Sequence, residues 1–225
     1  MRSFVVSREG EALLYIKPWF PLWNDGMQQK RGEGEMSKGL TTDNVFEMFP
    51  QLHDVKNVEL AQKAALIWVE AFENSSWENI MDAQFATRAP GVPVVLHTQG
   101  VVECSVDVAK SVAARHGYDI DLDTVIVSAV LHDVCKLEEM DMGPEGPGTS
   151  VKNHTGKLYQ HGFLSGYYAQ KYDLPTEITA ICVAHSGQSK VILHSMEAMI
   201  VIYADLMNAD IHFAHAGTTL CMEVD

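Results

Sequence analysis

Six side chains of kinds that bind divalent cations follow one another along this 225-residue chain at positions that read as helical and apolar: His97, the doublet His132–Asp133, His161, His185 and Asp205. Each falls in an apolar stretch with helical periodicity. A buried ionisable group is costly unless it is paired or coordinates a metal. A single core histidine has an easy structural explanation, a hydrogen bond to a neighbouring carbonyl. Successive helical stripes that each contribute a histidine or an aspartate do not. Four imidazoles and two carboxylates together have the ligand chemistry of a transition-metal centre.

The doublet lies in "AVLHDVCKLEE", residues 129–139. Neighbouring positions on a helix diverge by about 100°, so His132 and Asp133 can straddle a site in the angle between them. A carboxylate has two oxygens and can bridge two cations, whereas an imidazole ligates through one nitrogen. Six such ligands with one bridging aspartate suit two ions roughly 3.5–4 Å apart, the spacing of two-metal hydrolytic sites. Lys136, three residues beyond Asp133, places an ammonium beside the doublet.

These residues need helices to carry them. From about residue 94 the apolar pattern is strongly helical. His97, Val101, Cys104, Val108 and Val112 share one face of the first helix. "DLDTVIVSAVLHDVCKL" opens on N-capping aspartates and runs apolar into the doublet. "EEMDMGPEGPGTSVKN" is rich in Gly and Pro and reads as a loop over 139–153, one that leads from the doublet towards His161 and is placed to cover the site. Then His161, Leu164, Tyr168 and Tyr172 align, followed by Ile178, Ile181, Cys182 and His185 after Pro175, and by Ala198, Val201, Asp205 and Asn208. Residues 1–90 have a different texture, with all four tryptophans and no cysteine. "SFVVS" and "ALLYIK" read as a hairpin, "KPWFPLW" as an irregular aromatic segment packed on a neighbouring helix or on a partner subunit, and Val58, Ala61, Ala65, Val69 and Phe72 as a helix over 56–73.

Composition bounds the rest. Hydrophobic residues make up 47% and charged residues 20%, ordinary for a globular chain. The formal charge of −14 argues against binding a nucleic acid polymer. No apolar run is long enough to span a bilayer, and the N-terminus lacks a signal-peptide pattern. The four cysteines are widely spaced with no CxxC pair, which fits small core residues in a reducing compartment, so the expected location is the cytoplasm.

The order H…HD…H…H…D over about residues 94–210 resembles the HD-domain superfamily of metal-dependent phosphohydrolases, and specifically its binuclear, six-ligand members. The resemblance implies that His97, His132, Asp133 and Asp205 hold one metal, that His161 in "YQHGFLSGYYA" and His185 in "CVAHSGQ" serve the second, and that Asp133 bridges the two. "HDVCK" keeps the form HDxxK, so Lys136 resembles the family lysine that faces substrate phosphate. "AHSG" followed by "MIVIYADLMNAD" is similar to the branch that hydrolyses dinucleoside polyphosphates. His185 is followed by Ser186 rather than a second histidine, and no GYP motif follows the doublet, which disfavours cyclic-dinucleotide cleavage.

The expected fold is therefore mainly α: an HD-domain helical bundle over 91–225, preceded by an N-terminal extension over 1–90 of mixed or irregular structure. The expected activity is hydrolysis of a phosphate ester or anhydride of a small phosphorylated molecule or nucleotide. It would use two divalent ions (Fe, Mn, Ni, Co, Zn or Mg), with Asp133 and Lys136 at the chemistry; a homodimer is compatible. The alternative within the superfamily is a mixed-valent di-iron oxygenase, which uses the same ligands; a non-catalytic metal-stabilised binding module is a third reading. His154, His212 and His215 are weaker candidates for the site.

Overall fold

The computed structural model describes residues 5–6, 12–13, 39–186 and 189–223. Two compact units divide the chain, Met1–Met36 and Ser37–Asp225. In the first, β1 (Val5–Val6) pairs antiparallel with β2 (Ala12–Leu13), in the register Val5↔Leu13. The hairpin expected there has this pairing at its core. The "KPWFPLW" segment lies outside the described residues.

The second unit is helical. Its main elements are α1 (Thr42–Met48), α2 (Val58–Asn74), α3 (Val94–His116), α4 (Leu122–Leu131), α5 (Lys136–Glu139), α6 (His154–Leu158), α7 (His161–Lys171), α8 (Thr176–Ala184) and α9 (Met196–Ala216). Asp121 caps α4, accepting from the Asp123 N–H at 3.1 Å and the Thr124 hydroxyl at 2.7 Å, as the run of aspartates leads one to expect. From Thr124 to Leu131 every residue of α4 is buried. A helix apolar on all sides must be covered on all sides, and α4 packs against α2, α3, α8 and α9. Trp68, Phe49, Leu137, Ile178 and Ile181, with Ile126 and Leu131 of α4 itself, fill the core. Among the described residues no helix is long and apolar enough to cross a membrane.

α1 and α2 share one core with the helices from Val94 onward. Two expectations change. The segment 139–153 is not a plain loop. Met140–Met142 (β3) and Ser150–Lys152 (β4) form an antiparallel pair in the register Asp141↔Val151, and the Gly- and Pro-rich residues make only its turn. On α3 the buried stripe runs through Val94, His97, Thr98, Val101, Val102, Ser105, Val106 and Ala109, whereas Val108 is 39% exposed. The expected face drifts off after its second turn because Thr98 and Ser105, polar by type, are small enough to lie against the neighbouring helices.

Candidate metal centre

The doublet sits where a helix tightens. α4 ends at Leu131, and His132 is its C-cap with helical φ and ψ of −52° and −43°. Beyond it the backbone bonds shorten to the i→i−3 pattern: the Val134 N–H donates to the Leu131 carbonyl, and the Lys136 N–H to that of Asp133. The last turn of a helix leaves carbonyls in need of donors. Here the Ser128 carbonyl accepts from the His132 N–H, Ala129 from His132 Nδ1 at 2.7 Å, and Val130 from the Trp68 indole at 2.9 Å. The tightened turn thus fixes both the backbone and the ring of His132.

The other candidates come from different parts of their helices. His97 lies in the first turn of α3, and Asp205 lies in the middle of α9, which packs along α3. His161 is the first residue of α7, and His185 is the C-cap of α8. α7 and α8 approach closely at Gly166, where a Cβ would collide with the Val183 side chain. All six sequence-predicted candidates therefore meet, with Asp133 in the middle.

Two groups form around that carboxylate. Asp133 Oδ2 lies 3.2 Å from His97 Nε2 and 3.5 Å from His132 Nε2. Asp205 Oδ1 lies 3.1 Å and 3.6 Å from the same two nitrogens. On the opposite side, Asp133 Oδ1 is 3.2 Å from His161 Nε2 and 3.4 Å from His185 Nε2. One ligand atom from each of His97, His132, Asp133 and Asp205 falls within 4.8 Å of the others, and the same holds for Asp133, His161 and His185.

Every imidazole turns Nε2 towards Asp133 and anchors Nδ1 elsewhere. Nδ1 of His97 bonds Asn208 Oδ1 at 2.9 Å, that of His185 the Cys182 carbonyl at 2.8 Å, and that of His161 Glu139 Oε2 at 2.6 Å. An Nδ1–H given to a backbone carbonyl leaves the Nε2 lone pair free to ligate. The residues fit a cation on two counts. His161 and His185 direct their Nε2 atoms at each other across 3.1 Å, so a proton or a cation must separate the two lone pairs. His132 Nε2 is buried and, among the described residues, has no hydrogen-bond partner.

Electrostatics agree. Burial disfavours the charged form of His97, but the carboxylates of Asp133 and Asp205 outweigh it and raise its pKa to about 9. Burial likewise opposes ionisation of Asp133, yet Lys136, His132 and the other facing histidines hold it well below the carboxylate range. Asp205 is lowered as well: its burial is outweighed by His132 and His97. His161 is lowered by burial and by the Lys136 ammonium. The pocket thus keeps its carboxylates ionised and surrounded by nitrogen donors.

Lys136 begins α5 with Nζ 3.5 Å from Asp133 Oδ2 and 5.3 Å from the centre of the Phe85 ring. Phe85 also stacks on His97, with centroids 4.3 Å apart at 20°. Sequence reasoning missed two neighbours of the centre, Glu139 and Phe85, and put a third, Asn208, on the site-facing stripe without giving it a role. Asn208 carried a signal, since it follows Asp205 on the same helical face. Glu139 and Phe85 carried none, because only tertiary packing brings them in. His212 approaches the edge, its ring 6.2 Å from that of His97. His154 and His215 are exposed and belong to neither group.

Searches of curated proteins and of solved structures each found no match. The chain does match the HD domain over residues 94–210, more than half its length, a stretch that contains all six clustered residues. The chain belongs to the HD-domain family, whose members are in general metal-dependent hydrolases.

Proposed function

We propose that the chain is a phosphohydrolase that cleaves a phosphate ester or anhydride of a small molecule or nucleotide. It would use two divalent cations, one held by His97, His132, Asp133 and Asp205, the other by Asp133, His161 and His185. The observation that carries this reading is the division of Asp133, with Oδ2 facing one pair of imidazoles and Oδ1 the other. When bound, such cations supply Lewis acidity, which makes water acidic near neutral pH and polarises a phosphoryl group.

The chain's own residues do the rest. The four Nδ1 anchors hold the rings in the orientation and tautomer that ligation needs, without rearrangement at the moment of reaction. Burial around Asp133 keeps competing water away and strengthens each charge interaction. Lys136 sits against Asp133 as a charge partner. With cations held by Asp133, the Lys136 ammonium, beside the Phe85 ring, would be free to turn to the negative charge of a phosphate. A di-iron oxygenase would use nearly the same ligands, but a phosphate-facing ammonium has no obvious role in alkyl oxidation, so Lys136 favours phosphate.

Protein loaded with Mn²⁺ or Fe²⁺ is assayed against p-nitrophenyl phosphate, nucleotides and dinucleoside polyphosphates. Phosphate release that depends on the cation and stops on chelation is expected, with Lys136→Met lowering turnover on the order of 10²-fold. Absence of release with every cation, together with oxygen consumption and a coupled mixed-valent EPR signal, would replace this reading with the oxygenase.

A further inference from the structure

The two groups around Asp133 are unequal. The first has Asp205 to itself in addition to a share of Asp133; the second has only its share of Asp133 and two imidazoles. Glu139 lies immediately behind the second group. It is almost fully buried, and both of its oxygens are in use. Oε2 accepts from His161 Nδ1 at 2.6 Å and from the His161 backbone N–H at 3.1 Å. Oε1 pairs with Lys152 Nζ at 2.6 Å.

The surroundings fix this carboxylate in place. The Glu139 N–H donates to the Cys135 carbonyl at 3.0 Å, and its own carbonyl accepts from the Asn153 N–H at 3.1 Å. Gly156 packs against it so tightly that a Cβ there would collide with the Glu139 carbonyl oxygen and lie 2.6 Å from its Cγ. Lys152 reaches it from β4, so the β3–β4 hairpin closes over the back of the site. Gln160, at the N-cap of α7, makes no side-chain capping bond. Glu139 takes over that task for His161, where the helix dipole favours an anion.

The other three imidazoles hand Nδ1–H to neutral acceptors: the amide of Asn208 and the carbonyls of Ala129 and Cys182. Only His161 hands it to a carboxylate. We propose that Glu139 is a positioning residue that sets the affinity of the second cation site, fixing the His161 ring by its backbone and Nδ1 bonds and supplying, one ring's width away, the negative charge that the second group lacks. A carboxylate behind a ligating imidazole raises the basicity of the opposite nitrogen, and losing such a partner typically weakens metal binding by about 10–100-fold. The inference rests on the two-cation reading above.

Titration of metal-free protein with Mn²⁺, followed by calorimetry, tests it. Wild type is expected to show two binding events. Glu139→Gln, nearly isosteric but uncharged, should weaken one of them by about 10–100-fold and leave the other within a few-fold. Glu139→Asp, which withdraws the oxygens by one carbon, carries the same expectation and stands in if Glu139→Gln does not fold. Two unchanged events in the variant overturn the role of Glu139 alone. Equal weakening of both events also overturns it, because that is the mark of a general packing residue. A single event in wild type overturns this inference and the two-cation reading together.

Discussion

The two halves of the centre are built differently. The half formed by His97, His132 and Asp205 rests on well-packed helices: the long α3 and α9 lie against each other, and His132 closes the fully buried α4 that packs on both. The half formed by His161 and His185 rests on helix ends, the first residue of α7 and the cap of α8, joined by a close approach at Gly166 and backed by Glu139. The first half carries its own carboxylate in Asp205; the second shares Asp133 and leans on Glu139, which bonds the ligand His161 from behind. Both halves anchor their rings through Nδ1; the first adds the packing of three helices, the second a close backbone approach and a buried carboxylate behind one ligand.

That contrast can be broken deliberately. The largest separation is expected between Asp205→Asn and His185→Ala. Asp205→Asn removes a full negative charge and puts a non-ligating NH2 in place of one carboxylate oxygen, so it should lose the ion of the first half. His185→Ala should lose the second ion and keep the first, which retains all its donors. Each should lower turnover by more than about 100-fold, since both halves are needed and loss of even an outer partner costs up to that much. Metal content measured by mass spectrometry beside turnover checks the assignment, and identical metal loss in both variants would erase the distinction between the halves.

A smaller effect is expected where the second half depends on close packing. Gly166→Ala places a methyl group against Val183 and should destabilise the metal-free protein by about 1–3 kcal/mol, as overpacking does. It should also weaken the second ion while sparing the first. Thermal melting and Mn²⁺ titration of the same samples report the two consequences. A variant with wild-type melting and binding would show that α7 and α8 do not need glycine there.

How much of this the sequence discloses follows the same divide. His97, the doublet and Asp205 can be read because the residue types sit within, or directly at the close of, apolar helices whose period is plain. His161 and His185 can be read by type and order, but their place at helix ends cannot, since the boundaries depend on capping and on which backbone groups find partners. The stripe on α3 went astray at Thr98 and Ser105, polar by type but buried by fit. The hairpin of β3 and β4 is hidden because its strands have three residues each and the Gly- and Pro-rich turn dominates the segment. Glu139 stands beside Glu138 in a short helix, and nothing local tells which of the two meets His161 across 22 positions.

The central claim is that Asp133 joins two cations at one hydrolytic centre. Its most direct test is the metal-to-protein ratio of Mn²⁺-loaded wild type and Asp133→Ala, with phosphate release measured on the same samples. Two ions per wild-type chain are expected, and loss of both ions and of turnover in Asp133→Ala. A wild type that saturates at one ion, or an Asp133→Ala protein that turns over substrate after its metal is gone, would contradict it.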